Sequence, residues 1–136
     1  MNLFYKLKSK LFYEHNCLRA RIQRFKRGYS YGDVWDMDYW FINTVKPMLI
    51  HLRDHGCGIP GELYVYGNNE RANWENVLTE MINCLDLMDE DNAEMYLGIA
   101  YNDYSLENSK KTWDLMRENK NRFFELFNKY FYSLWD

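Results

Sequence analysis

Apolar positions along this chain fall mostly at helical spacing. Trp74, Val77, Leu78, Met81, Ile82 and Leu85 follow i, i+3, i+4, i+7, i+8 and i+11. That spacing places them on one face of an amphipathic helix over residues 71–88. Val34, Met37, Phe41, Val45, Met48, Leu49 and Leu52 form a second stripe, widened by Trp35 and Ile42. A third begins near Ser105 and carries Trp113, Met116, Phe123, Phe127, Tyr130, Phe131 and Leu134 toward the chain end. Residues 3–27 read as helical but irregular. Leu3, Phe4, Leu7, Leu11 and Phe12 keep the period, as do Leu18, Ile22 and Phe25, with a break around residues 14–17. Strand character is confined to Leu63-Tyr64-Val65-Tyr66, and one short strand is not stable alone. The pattern predicts an all-α fold: a compact helical bundle of three long amphipathic helices plus N-terminal helical segments. We expect a single helical domain over residues 1–136, with a basic N-terminal segment over 1–28 and the main bundle over 29–136.

Polar and special residues punctuate the stripes. Gly28 follows Lys26-Arg27, a suitable helix stop with cations at the negative end of the dipole. Ser30 followed by Asp33 resembles a capping box and predicts the start of the central helix, though Asp is shorter than the usual Glu. Pro47 lacks the N–H that bonds back four residues, which predicts a kink near Asn43-Thr44. His51, Arg53 and His55 gather in the last turn before Gly56, the expected stop. Asp89-Glu90-Asp91-Asn92 is expected to end the helix over 71–88. A short helix from Ala93 to Ala100 and a turn over 101–104 follow. Ser133-Leu134-Trp135-Asp136 predicts a docked terminus, because an exposed Trp there has no evident use.

Composition adds a partner question. At 136 residues the chain is long enough to bury a core, and aromatic residues make up 18% of it, with twelve Tyr and five Trp. Such residues favour half-buried and interfacial sites, although an aromatic core accounts for them equally well. Three cysteines, Cys17, Cys57 and Cys84, lack a disulfide framework spacing. With no signal-peptide pattern and no apolar run of membrane-spanning length, a soluble cytoplasmic protein is expected. Charge is uneven. Residues 1–28 carry eight Lys/Arg against Glu14 alone, and no Lys or Arg lies between Arg71 and Lys110. The basic stretch either lies across acidic surface of the same protein or forms an anion site.

Three side-chain groups are candidates for chemistry. His51 and His55, four apart, can face one ligand, and with Cys57 they offer zinc an imidazole and thiolate set. Their spacing matches no established zinc pattern, and histidines at a helix end suit the dipole without metal. Asp33, Asp36 and Asp38, with Glu75 and Glu80, offer Mg²⁺ a carboxylate set. Spaced acidic motifs of helical nucleotide pyrophosphatases are not evident, and acids in first helical turns are ordinary. Arg19, Arg24 and Arg27 lead into Tyr29, Tyr31, Trp35 and Trp40, with Arg21 and Lys26 between. Guanidinium groups grip phosphates and aromatic faces stack on bases, so this group suits an anionic nucleotide-type ligand. A solvated basic face followed by an aromatic core is the plainer reading. The pI of about 5.6 argues against general nucleic-acid binding. No nucleophile elbow, P-loop or dinucleotide fingerprint is present. Catalysis is therefore less favoured than binding, and no cofactor beyond Zn or Mg is suggested.

Across Arg27-Gly28-Tyr29-Ser30-Tyr31-Gly32-Asp33-Val34-Trp35-Asp36-Met37-Asp38, the chain resembles a group of small phage and prophage proteins. Their pattern is roughly R-G-[YW]-[SA]-x-x-D-x-W-x-x-D, then a proline and an H-G-x-P loop. Pro47 carries the first of those later features, His55-Gly56 with Pro60 approximates the second with three residues between glycine and proline, and the resemblance extends over most of residues 19–136. It implies phage origin and action in the bacterial cytoplasm. We expect an accessory protein of anti-defence or host-takeover type, which sequesters an anionic nucleotide or inhibits a host protein. A metal-dependent nucleotide-processing enzyme and a minor virion or assembly component are the alternatives. Self-association is compatible with an exposed aromatic surface, and two-fold dimers are the commonest form.

Overall fold

The structure, a computed structural model, describes residues 16–64, 69–100, 103 and 105–135. The expected helix over residues 3–12, the extended Val65-Tyr66, most of the turn over 101–104 and Asp136 lie outside them. The described residues are all-α, with no strand among them. Residues 16–27 are helical (α1). Then follow α2 (Met37–His55), α3 (Glu70–Asp86), α4 (Glu90–Leu97) and α5 (Leu106–Tyr130). Short 3-10 turns occupy Gly32–Val34, Gly61–Leu63 and Phe131–Ser133. The chain divides into two compact units, residues 1–41 and 42–136, with the division inside α2.

In the second unit the core forms where α5 packs against α3 and α4. Trp74, Leu78, Met81 and Leu85 of α3 are fully buried, as are Ala93 of α4 and Phe123 of α5. Each large side chain removed from water in this way contributes about 1.5–3 kcal/mol. Tyr130 closes one side of the core, its ring 5.4 Å from that of Trp74 and tilted by 60°. The indole N–H of Trp74 finds no hydrogen-bond acceptor among the described residues. On α2, Leu49 and Leu52 are the buried members of the stripe, while Met48 is largely exposed. Polar ties add direction: Arg122 Nε donates to Glu80 at 2.6 Å, and Lys46 pairs with Asp86.

Helix ends follow local chemistry. Asp89 does not end α3. It caps α4 instead, its carboxylate accepting the Asn92 N–H at 3.1 Å, and so α4 begins three residues before the expected Ala93. Gly98 stops α4 in the left-handed region at φ 68°, which a side chain resists. The last helix starts where expected, and Ser105 caps it, its hydroxyl accepting the Asn108 N–H at 3.3 Å. Within α5 the buried stripe begins at Thr112, not at Trp113, which is 58% exposed. Thr112 can be buried because its hydroxyl donates to the Asn108 carbonyl at 3.1 Å. Pro47 lies inside α2, which remains helical on both sides of it.

Gly56 ends α2 for a reason the sequence conceals. Its N–H bonds to the Leu52 carbonyl at 2.9 Å. A Cβ there would lie 2.5 Å from that oxygen and 2.8 Å from Leu52 Cδ1, so close approach demands glycine. The carbonyls of Arg53 and Gly56 accept from the Arg71 guanidinium, at 2.8 Å for Arg53. A cation from α3 thus satisfies the free end of α2. Beyond α5, the Trp135 carbonyl and ring lie against Gly58, although Trp135 itself is 63% exposed.

Candidate binding surface

The first unit is arranged around Asp33. Its carboxylate accepts Arg24 Nε at 2.9 Å and Arg24 Nη2 at 2.5 Å, a two-point pairing that fastens the turn to α1. The same carboxylate accepts the Ser30 N–H at 2.7 Å, while the Asp33 N–H approaches Ser30 Oγ at 3.4 Å. The capping pair read from the sequence therefore exists. It closes the 3-10 turn Gly32–Val34, and α2 begins later, at Met37, with the Trp40 N–H bonding to the Asp36 carbonyl at 2.9 Å. Arg24, and after it the Ser30 N–H, hold the Asp33 carboxyl far below the usual carboxylate range. The Asp33 side chain is 9% exposed, so its charge is shielded by these partners. A further tie runs from the Tyr31 N–H to Gln23 Oε1 at 3.0 Å.

Around this scaffold the aromatic groups face outward. The Arg27 guanidinium lies 4.3 Å from the Tyr31 ring centre and 5.2 Å from that of Tyr29, close enough for cation–π attraction to both. As donor and as charge, Arg27 also lowers the Tyr31 phenol below its ordinary pKa. Trp35 is 88% exposed and Tyr31 60%. Tyr29 and Trp40 meet in a cavity of about 280 Å³ with Asp33, Val34 and Met37. Arg19 and Tyr31 meet in another of about 320 Å³, with Asn16, Gln23 and Ser30 on its walls. The seven expected ligand-binding residues thus separate into roles. Arg24 is committed to Asp33, Arg27 to the two tyrosines, and Trp35 stands free of both cavities. Sequence reasoning assigned neither Gln23 nor Ser30 to the site, since their contacts span the turn.

In the second unit His51 and His55 stack, with ring centres 4.7 Å apart and planes 20° from parallel. His55 Nδ1 lies 3.3 Å from the His51 carbonyl. Cys57 is exposed on the following loop. Among the described residues no group of three or more His, Cys, Asp and Glu side chains is gathered as a metal site. Of the carboxylates considered for Mg²⁺, Asp33 is taken by Arg24, Glu75 by Arg71 at 2.7 Å and Glu80 by Arg122.

No helix among the described residues is long and apolar enough to cross a membrane. In comparisons with known proteins, no family model, no curated protein and no solved structure matches the chain.

Proposed function

We propose that this chain acts by binding, as a small phage accessory protein that engages a host protein through the aromatic and arginine surface of residues 27–40. One observation carries the reading: Trp35 and Tyr31 are held outward on a turn whose backbone is fixed by Arg24, Asp33 and Ser30. Trp, Tyr and Arg are the residues that most often dominate binding energy at protein interfaces. Fixing them before contact lowers the entropy lost on association. Anti-defence or host-takeover inhibition is the role that suits such a surface on a phage protein.

A nucleotide-type ligand is the second reading, and the cavity shared by Arg19 and Tyr31 favours it. Arg24 and Arg27 are engaged within the protein, which leaves Arg19 as the cation best placed for a phosphate there. A protein partner therefore ranks first. The test is native mass spectrometry of the untagged protein purified from bacteria without chelator. A co-isolated protein in fixed stoichiometry, lost on Trp35→Ala, supports the first reading. An added nucleotide mass, lost on Arg19→Ala, supports the second, and a stoichiometric metal with neither turns attention to the enzymatic alternative.

A further inference from the structure

The apolar side chains of α1 face outward. Leu18, Ile22 and Phe25, at i, i+4 and i+7, make one row along the helix and are 57%, 47% and 93% exposed. At about 100° per residue, Arg19 and Lys26 fall on one flank of that row and Arg21 on the other. All three cations are exposed, and residues 16–27 contain no Asp or Glu. The other two cations of α1 are engaged, Arg24 by Asp33 and Arg27 by the rings of Tyr29 and Tyr31. The turn after α1 takes up the opposite face of the helix. Ala20 and Gln23 are half-buried there, and Gln23 Oε1 accepts the Tyr31 N–H. The first unit thus uses the polar face of α1 for itself and leaves the apolar row, with its flanking cations, in water.

We infer that α1 lies in the plane of an anionic lipid surface, with Leu18, Ile22 and Phe25 in the acyl boundary and Arg19, Arg21 and Lys26 at the phosphates. Interfacial helices are built this way: an apolar stripe enters the headgroup boundary while the cations beside it stay at phosphate depth. The long stems of Arg and Lys let their charges reach sideways to do so. Residues 16–27 make about 18 Å of helix, too short to cross a bilayer and suited to lying along it. Charge selects the occupant. Residues 1–28 carry eight Lys/Arg against Glu14 alone, whereas the whole chain has a net charge of −3. An anionic surface therefore attracts this end and repels the acidic remainder, which orients the approach. A sheet of phosphates meets the cations on both flanks at once, where a protein surface of mixed charge would oppose some of them. Phe25 stands clear of its own chain and inserts into a soft surface without a preformed pocket.

Flotation of the full chain with vesicles tests this, with pure phosphatidylcholine set against equal parts of phosphatidylcholine and phosphatidylglycerol. The expected result is flotation with the phosphatidylglycerol vesicles alone, fading as salt rises. Phe25→Ser should weaken binding by about tenfold or more, through loss of an inserted apolar side chain. Leu18→Ser gives an independent second variant of the same row. Arg21→Gln and Lys26→Gln should each weaken binding by about fivefold, the share of one cation near an anionic surface. These side chains are exposed in the free chain, so circular dichroism should be unchanged. Trp35→Ala, outside α1, should float as the intact chain does. An intact chain that does not float with anionic vesicles overturns the inference, and so does flotation indifferent to Phe25 and Leu18. Loss with Trp35→Ala in place of Phe25→Ser also overturns it, because the contact then belongs to the turn. Capture of a host protein or nucleic acid that depends on Phe25, without any flotation, does the same. Host-protein capture through Trp35 is read separately, so either reading can fail alone.

Discussion

Residues 16–41 and residues 42–136 are both helical, yet opposite forces hold them. In the first stretch Ser30 is the single buried residue among those described, and the local structure rests on Arg24, Asp33 and the Gln23–Tyr31 tie. In the second, Trp74, Leu78, Met81, Leu85 and Phe123 are sealed from water, and ion pairs such as Arg122–Glu80 decorate a surface that burial has already fixed. An apolar core spends its large side chains on itself. A turn held by polar ties leaves Trp35 and Tyr31 free to meet something else, with lower local stability as the consequence.

The largest expected effect lies in the second unit. Trp74→Ala removes a fully buried indole and should cost about 3–5 kcal/mol. Chemical denaturation would show a lower midpoint, and an unchanged midpoint would mean that α3 is not the centre of the core. Gly56→Ala should come next. Its Cβ meets the Leu52 carbonyl at 2.5 Å, and crowding of this kind costs about 1–3 kcal/mol. Asp89→Ala removes the cap of α4 and should cost about 1 kcal/mol by the same measurement.

Arg24→Ala should have the smallest global effect and so sharpens the contrast. Amide exchange should accelerate over residues 29–36, while protection in α3 and α5 stays as it was. Acid should reproduce this selectively. The Asp33 carboxyl is depressed in the folded turn, so its stabilisation is present above the ordinary carboxylate pKa of about 4. It fades as the pH falls below that value toward the depressed one. Exchange measured down through that range should show residues 29–36 opening before α3.

The stripe from Trp74 to Leu85 was legible because six apolar residues keep one period, and the structure buries that face. In α5 the same logic held at Phe123 and Tyr130 and slipped by one position at the start of the stripe. Thr112 heads the buried stripe but looks polar, while the neighbouring Trp113 looks like core and faces water. Ser30 and Asp33 announced their mutual pairing, but that pairing is not the cap of the central helix that was expected from it. They did not reveal that Arg24, nine residues upstream, and the Ser30 N–H share the Asp33 carboxylate, which closes a separate turn and delays α2 to Met37. The sequence placed arginines beside aromatics at the candidate site, but periodicity carries no information about which side chain an arginine will choose. Arg71 capping α2 across fifteen residues escaped for the same reason.

Capture from a bacterial lysate with the intact chain, compared with Trp35→Ala and Arg24→Ala, tests the binding surface most directly. Trp35→Ala removes a contact, and Arg24→Ala loosens the turn that presents it. The expected result is one host protein held in fixed stoichiometry by the intact chain and lost by both variants, with the second unit's denaturation midpoint unchanged. Retention of that protein by both variants would contradict the proposed surface.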